Sequence, residues 1–224
     1  IDESIRHAVT KMAHVHFPAS KEAAQRIIRL GEKEEVVFDV GASSIDALLA
    51  TDLLDLAIVR KFQGIHGVGE RQSLLGGQYL LVIQHPVTTE YHDNLNNVNE
   101  TVRAIQELAL PTIWVWPNMD AGSDGVSKAI REYRESGRAG NVYFFKSLPI
   151  EIFGPLLKNA GCILGNSSSG IREAAYLGTP SVNIGGRQQG RYRGVHVVDV
   201  AYSKREIVAA TRSQLDHGPY DPDF

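Results

Sequence analysis

The chain has 224 residues, 43% of them hydrophobic and 22% charged, with a formal net charge of −3. This is ordinary globular composition with material for a substantial core, and the negative balance offers no general basic field for nucleic acid. Cys162 is the lone cysteine, which excludes an internal disulfide and fits a reducing, cytoplasmic compartment, and apolar runs such as YLLVI (79–83) are too short to span a bilayer.

The chain opens on IDESIRHAV, without a methionine or leader pattern and already in helical rhythm, so it reads as a chain entered part-way through. Ile5, Ala8, Val9 and Met12 fall at helical spacing over 4–14. PASKEAAQRIIRLGE predicts a second helix with Ser20 as cap and Gly31 as stop. EVVFDVGAS predicts a buried strand, and SIDALLATDLLDLA another helix. Residues 60–77 hold five glycines and little periodicity, and read as a loop or interdomain connector.

From Gln78 strands and helices alternate cleanly: YLLVIQ, NLNNVNETVRAIQELA, TIWVWP, DGVSKAIREYRES, NVYFF, PIEIFGPLLKNA, CILGN, GIREAAYLG, PSVNIG, VHVVDV and SKREIVAATRSQL. Continuous apolar strands alternating with helices predict an α/β, Rossmann-like parallel sheet with helices on both faces. The expected division is 1–75, the remnant of an N-terminal Rossmann-like domain plus connector, and 76–224, a C-terminal ligand-binding Rossmann-like domain.

Such sheets bind ligands beyond the carboxyl ends of their strands, which selects five loops: 84–90, 117–125, 146–149, 165–170 and 185–191. GNSSSGIRE (165–173) sets serines before a helix start, where free N–H groups and the helix dipole suit an anion. The same residues also fit a plain cap, with Gly170 as N-cap and Glu173 as third helical residue of a capping box. His85 follows a strand directly and fits proton transfer or phosphate contact, or a surface turn made by Pro86. Asn118 and Asp120 suit base or sugar recognition, or simply form a turn. Arg187, Arg191 and Arg193 in GGRQQGRYRG suit phosphate through their bidentate forks, or are solvated surface cations. The pair His14 and His16 lacks a third ligand at metal spacing, and a structural role is expected. Asp2 and Glu3 favour a helix start for dipole reasons. Together, at one sheet edge, these residues point to a nucleotide or phosphorylated ligand, without specifying a reaction.

The segments DESIRHAVTKMAH (2–14), QHPVTTE (84–90), PNMDAGS (117–123) and GNSSSGIREAAYLGTPSVNIGGRQQGR (165–191) resemble the UDP-N-acetylglucosamine 2-epimerases, in particular the hydrolysing branch of sialic-acid-type sugar biosynthesis. The resemblance is collinear from Ile1 to about Val200, and the last block is its most specific part. It implies a glycosyltransferase-B-type two-domain architecture with the first domain incomplete here, and the active site in the cleft between the domains. It implies release of UDP from UDP-N-acetylglucosamine with inversion at C2, by elimination to a 2-acetamidoglucal and then hydration to N-acetylmannosamine. A bacillosamine-type diacetamido sugar and a glycosyltransferase of the same fold are the alternatives.

No metal or redox cofactor is implied. The expected partners are the UDP-sugar and a second copy of the chain in a homodimer, with neither nucleic acid nor membrane. By position, His85 resembles the family's cleft histidine and Asp2 a catalytic carboxylate, with Glu3 the runner-up. Asn118, the backbone at Leu148, Ser167 and Ser168, Glu173 and Arg187 match contacts to the nucleotide, uracil, diphosphate, ribose and UDP respectively. Asp124 and Ser147 stand where animal members carry cationic and histidine residues for feedback by a CMP-sugar, although Lys146 is retained, which implies a bacterial-type enzyme without that feedback. Cleft residues upstream of Ile1 and a closing helix after PYDPDF are expected to be missing, so the isolated chain is expected to bind UDP weakly and not to turn over substrate.

Overall fold

The computed structural model describes residues 2–53, 56–69, 78–191 and 193–223, without the side chains of residues 2 and 3. It divides into two compact units, Ile1–Ala50 and Thr51–Phe224. The division does not coincide with the boundary expected at residue 75.

The first unit carries α1 (Asp2–Met12), α2 (Lys21–Arg29) and α3 (Ser43–Leu49). Ser20 caps α2 as its sequence predicts, accepting from the Ala23 N–H at 3.2 Å, and Gly31 follows the helix at φ +94°, where a side chain would be strained. The strand expected in EVVFDVGAS does not form. Glu34–Val36 is a 3₁₀ turn, and a single parallel bridge joins Val37 to His16. Phe38 and Val40 are about half exposed. A β-segment is stabilised by cross-strand neighbours, and among the described residues this one has only that bridge. His16 holds the bridge and lies 3.4 Å from the Glu32 carboxylate, the structural role expected for it. No metal-binding cluster occurs among the described residues.

The second unit is built on β1 (Leu80–Ile83), β2 (Thr112–Val115), β3 (Val142–Phe145), β4 (Cys162–Gly165), β5 (Ser181–Ile184) and β6 (Val197–Val200). They form one parallel sheet in the order β3-β2-β1-β4-β5-β6, the Rossmann arrangement in which strand order reverses at the middle. Register is continuous across the reversal: Leu80 pairs with Thr112 on one side and Cys162 on the other. β1, β3, β4 and β5 are wholly buried, whereas the edge strand β6 is not.

Alternate strand residues serve two cores. Leu80, Val82, Trp114, Phe144, Leu164 and Val182 join Val102 and Ile105 of α5 (Asn94–Leu108), Ile130 of α6 (Ser123–Glu135) and Ile207 of α9 (Lys204–His217). The opposite face meets α4 (Leu56–Ile65), α7 (Ile150–Lys158) and α8 (Glu173–Leu177). There the Tyr79 hydroxyl donates to the Leu156 carbonyl at 2.6 Å, and Phe62 lies 5.7 Å from the Phe145 ring. No helix of the described residues is long and apolar enough to cross a membrane.

Two local expectations change. Residues 60–65, where a connector was expected, belong to α4, because that helix has a partner: the Tyr143 hydroxyl donates to the Gln63 and His66 carbonyls at 2.7 and 3.0 Å. Residues 70–77 of that stretch lie outside the described residues. The helix expected over 44–57 ends at Leu49 instead, and residues 54 and 55 are likewise outside them.

Candidate functional site

The strand order reverses between β1 and β4, and the loops leaving their carboxyl ends diverge there to make the crevice where this fold binds ligands. Gly165 ends β4 at φ +126°, and a Cβ on it would sit 2.0 Å from the Ile83 carbonyl oxygen. Glycine is therefore required for the two backbones to approach. The next residue, Asn166, is fully buried. Its Oδ1 accepts from the His85 N–H at 2.7 Å, and its Nδ2 donates to the His85 carbonyl at 2.9 Å.

His85 is thus fixed by its backbone at the mouth of the crevice. Its Nδ1 accepts from the Asn118 N–H at 3.2 Å, which leaves the ring proton on Nε2 in the neutral form. Burial is the main cause holding its pKa down at about 4, reinforced by the Arg187 charge, with Asp120 and Asn118 opposing. At neutral pH His85 is an uncharged donor through Nε2. The Asn118 side chain donates to Asp120 at 2.6 Å, so the turn is ordered by the same residues that touch the histidine.

Past Asn166 the chain makes a 3₁₀ turn, Ser168–Gly170, with Ser167 as its cap: the Ser167 Oγ accepts from the Ser169 N–H at 3.3 Å and lies 2.8 Å from the Ser169 Oγ. The helix expected to begin at Gly170 begins at Glu173, so Glu173 is the first helical residue and the capping box centred on Gly170 does not form. Gly170 packs against β5, where a Cβ would lie 2.8 Å from the Ser181 Oγ. The Ser168 hydroxyl makes no hydrogen bond among the described residues. Glu173 is buried to 7% side-chain exposure, its Oε1 lies 3.7 Å from Arg172, and its Oε2 has no hydrogen-bond partner among the described residues. A buried carboxylate oxygen without a donor is costly, which marks Glu173 as more than a capping residue.

The β5 loop brings Arg187. Its Nη1 donates to the Asn166 carbonyl at 3.2 Å and its Nη2 lies 3.8 Å from Asp120. Arg193 is committed elsewhere, to Asp199 at 2.8 Å and to the Gln188 carbonyl at 2.9 Å. Leu148 is half-buried in the loop after β3, on the same sheet edge, and has no hydrogen bond to this cluster. A cavity of about 340 Å³ opens where β2 and β3 end, lined by Trp116, Phe145 and Lys146 among others. The side chains of Asp2 and Glu3 lie outside the described residues.

Four participants were not singled out from sequence: Asn166, Gln188, Glu90 and Tyr202. Gln188 is buried and donates to the Asn166 carbonyl at 2.6 Å. Tyr202, from the loop after β6, lies near Glu90 and Asn166, and burial, with the Glu90 charge, pushes its hydroxyl pKa up. The ring lies against Gly185, where a Cβ would clash with it at 2.2 Å. Asn166, Gln188 and Glu90 lie in loops already marked as strand ends, whereas nothing local distinguishes Tyr202.

A family model for UDP-N-acetylglucosamine 2-epimerase matches residues 1–222. The chain is 30% identical over 223 residues to a UDP-N-acetylglucosamine 2-epimerase of Neisseria meningitidis, covering 100% of this chain and 56% of the relative. It is 34% identical over 218 residues to a hydrolysing UDP-N,N'-diacetylbacillosamine 2-epimerase of Legionella pneumophila, covering 96% of this chain and 54% of the relative. The chain therefore spans about half the length of the curated relatives it matches. The fold is shared with the crystal structure of the Neisseria meningitidis UDP-GlcNAc 2-epimerase bound to UDP-GlcNAc, at TM-score 0.70 and 16% identity over 95% of this chain and 58% of that one.

Proposed function

Because the chain belongs to the UDP-N-acetylglucosamine 2-epimerase family, we propose that it is the UDP-binding part of a hydrolysing enzyme that converts UDP-N-acetylglucosamine to UDP and N-acetylmannosamine. The observation that carries this reading is the convergence of a neutral histidine, an arginine and a serine-rich turn on the β1–β4 crevice. The diphosphate lies against the Ser167–Ser168 turn and Arg187, where N–H groups and a guanidinium stabilise the charge that grows as UDP leaves. Glu173 takes the ribose hydroxyls through its unpartnered Oε2. Asn118 contacts the nucleotide, and the backbone at Leu148 meets the uracil.

The chemistry runs in two steps. Removal of the C2 proton by a carboxylate, Asp2 by position, accompanies cleavage of the C1–oxygen bond; the oxygen leaves with UDP and a 2-acetamidoglucal remains. Water then adds across the double bond, placing hydroxyl at C1 and a proton on the opposite face of C2. His85, neutral at working pH, serves as a hydrogen-bond donor beside the departing phosphate.

A second reading, a UDP-diacetamido-sugar (bacillosamine-type) substrate, is favoured by the 34% identity to the Legionella enzyme. Incubating the full-length protein with each UDP-sugar and no acceptor separates the readings. Release of UDP together with free N-acetylmannosamine supports the first, and turnover of the diacetamido sugar alone supports the second. Free UDP-N-acetylmannosamine as the product overturns hydrolysis, and absence of inversion overturns epimerisation. Arg187→Ala and Ser168→Ala are each expected to weaken UDP binding by about tenfold, while His85→Ala lowers turnover more than affinity.

A further inference from the structure

Parallel pairing between β1 and β4 ends at Ile83 opposite Gly165, with one further bond from the Asn166 N–H to the Ile83 carbonyl at 3.1 Å. Beyond that point the strands feed different loops and the ladder stops. The Asn166 carboxamide continues it, offering one acceptor and one donor to the His85 backbone as a peptide group of a neighbouring strand does. The Asn166 main-chain carbonyl accepts from both Arg187 and Gln188. One fully buried residue thus joins the loops leaving β1, β4 and β5.

We infer that Asn166 is the positioning residue of the crevice: it holds His85 and Arg187 in one frame, so that the donor to the substrate and the cation for its diphosphate are set together. The inference rests on the UDP-site reading above, to which it adds a residue that touches no substrate. Asparagine alone fits the place. Aspartate lacks the donor and turns an oxygen towards the His85 carbonyl, serine is too short to reach both backbone groups, and glutamine sets its amide one methylene too far.

The experiment uses the 224-residue chain with Asn166→Ala, Asn166→Ser and, as a control that removes a buried hydrogen bond elsewhere, Thr211→Val in α9 (Thr211 Oγ1 to the Ile207 carbonyl, 2.7 Å). The His85 imidazole is titrated by NMR and UDP affinity is measured by calorimetry. The charged groups facing that ring are Arg187 and Asp120, and neither is altered. Both Asn166 variants are expected to move the His85 titration up by a unit or more and to raise the UDP Kd at least tenfold, with Thr211→Val leaving both within experimental scatter.

A His85 titration and a Kd unchanged in Asn166→Ala overturn the inference, as does the same change in Thr211→Val. If the unsubstituted chain binds no UDP, the functional reading falls and the His85 titration alone decides the role of Asn166. Should neither Asn166 variant fold, hydrogen exchange on the unsubstituted chain decides: the His85 amide is expected to exchange as slowly as the β1 amides, and rapid exchange overturns the inference.

Discussion

His85 stays neutral because burial and the Arg187 charge both act against protonation, so its folded-state pKa of about 4 lies below the unfolded value of 6.5. Between those values the unfolded chain binds more protons than the folded one. The stabilisation is therefore complete above pH 6.5 and is lost as pH falls to about 4, on the order of 3 kcal/mol in all. His196, buried beneath the serine turn with Nε2 3.2 Å from the Gly170 carbonyl, is shifted down chiefly by burial and adds to the same trend. Denaturant melts of the parent and of His85→Gln at pH 7 and pH 5 separate the two, and the acid loss should be smaller in the variant. Glu173 supplies the complementary case. Replacing its buried, unpartnered carboxyl oxygen with an amide in Glu173→Gln is expected to stabilise the fold by roughly 1 kcal/mol while weakening UDP binding, read by thermal melts and calorimetry. A loss of both properties would make it a structural residue only.

The crevice depends on how its elements end. α9 starts at Ser203, whose Oγ accepts from the Glu206 N–H at 3.5 Å, and Glu100 of α5 accepts from the Lys204 N–H at 2.8 Å; the loop carrying Tyr202 is anchored by that start. β4 ends at Gly165, against the Ile83 carbonyl. Gly165→Ala therefore places a Cβ both in a strained backbone region and inside a neighbouring backbone. It is expected to destabilise the second unit by about 3 kcal/mol or more, seen as a lower urea midpoint, and to abolish UDP binding. Gly190→Ala, at φ +77° but with open space around it, should cost about 1 kcal/mol and leave the crevice intact. Serine caps and glycine stops were readable from sequence because they act within a few residues. The split of the expected 170–178 helix was not, since it follows from Gly170 packing against Ser181 across the sheet.

At the scale of the molecule, every described member of the crevice belongs to Thr51–Phe224, a unit with its own sheet and core. Residues 51–224 expressed alone are expected to bind UDP within about twofold of the 224-residue chain by calorimetry, since every described residue proposed to contact the nucleotide lies in that unit; a tenfold loss would assign part of the nucleotide site to residues 1–50. The alternation of strands and helices from Gln78 onward, the parallel sheet and the five strand-end loops followed from sequence alone, because a strand buried on both faces must be apolar throughout and a helix must carry its stripe. So did the positions of His85, Ser167, Ser168, Glu173 and Arg187 at one sheet edge. Folding decided which of these meet. Asn166 and Gln188 lie in marked loops but carry no signature of their own, because their role is to satisfy hydrogen bonds between loops far apart in the chain. The neutral state of His85 was settled the same way: its pKa answers to burial and to an arginine about a hundred residues distant, quantities that exist only once the sheet has brought those loops together.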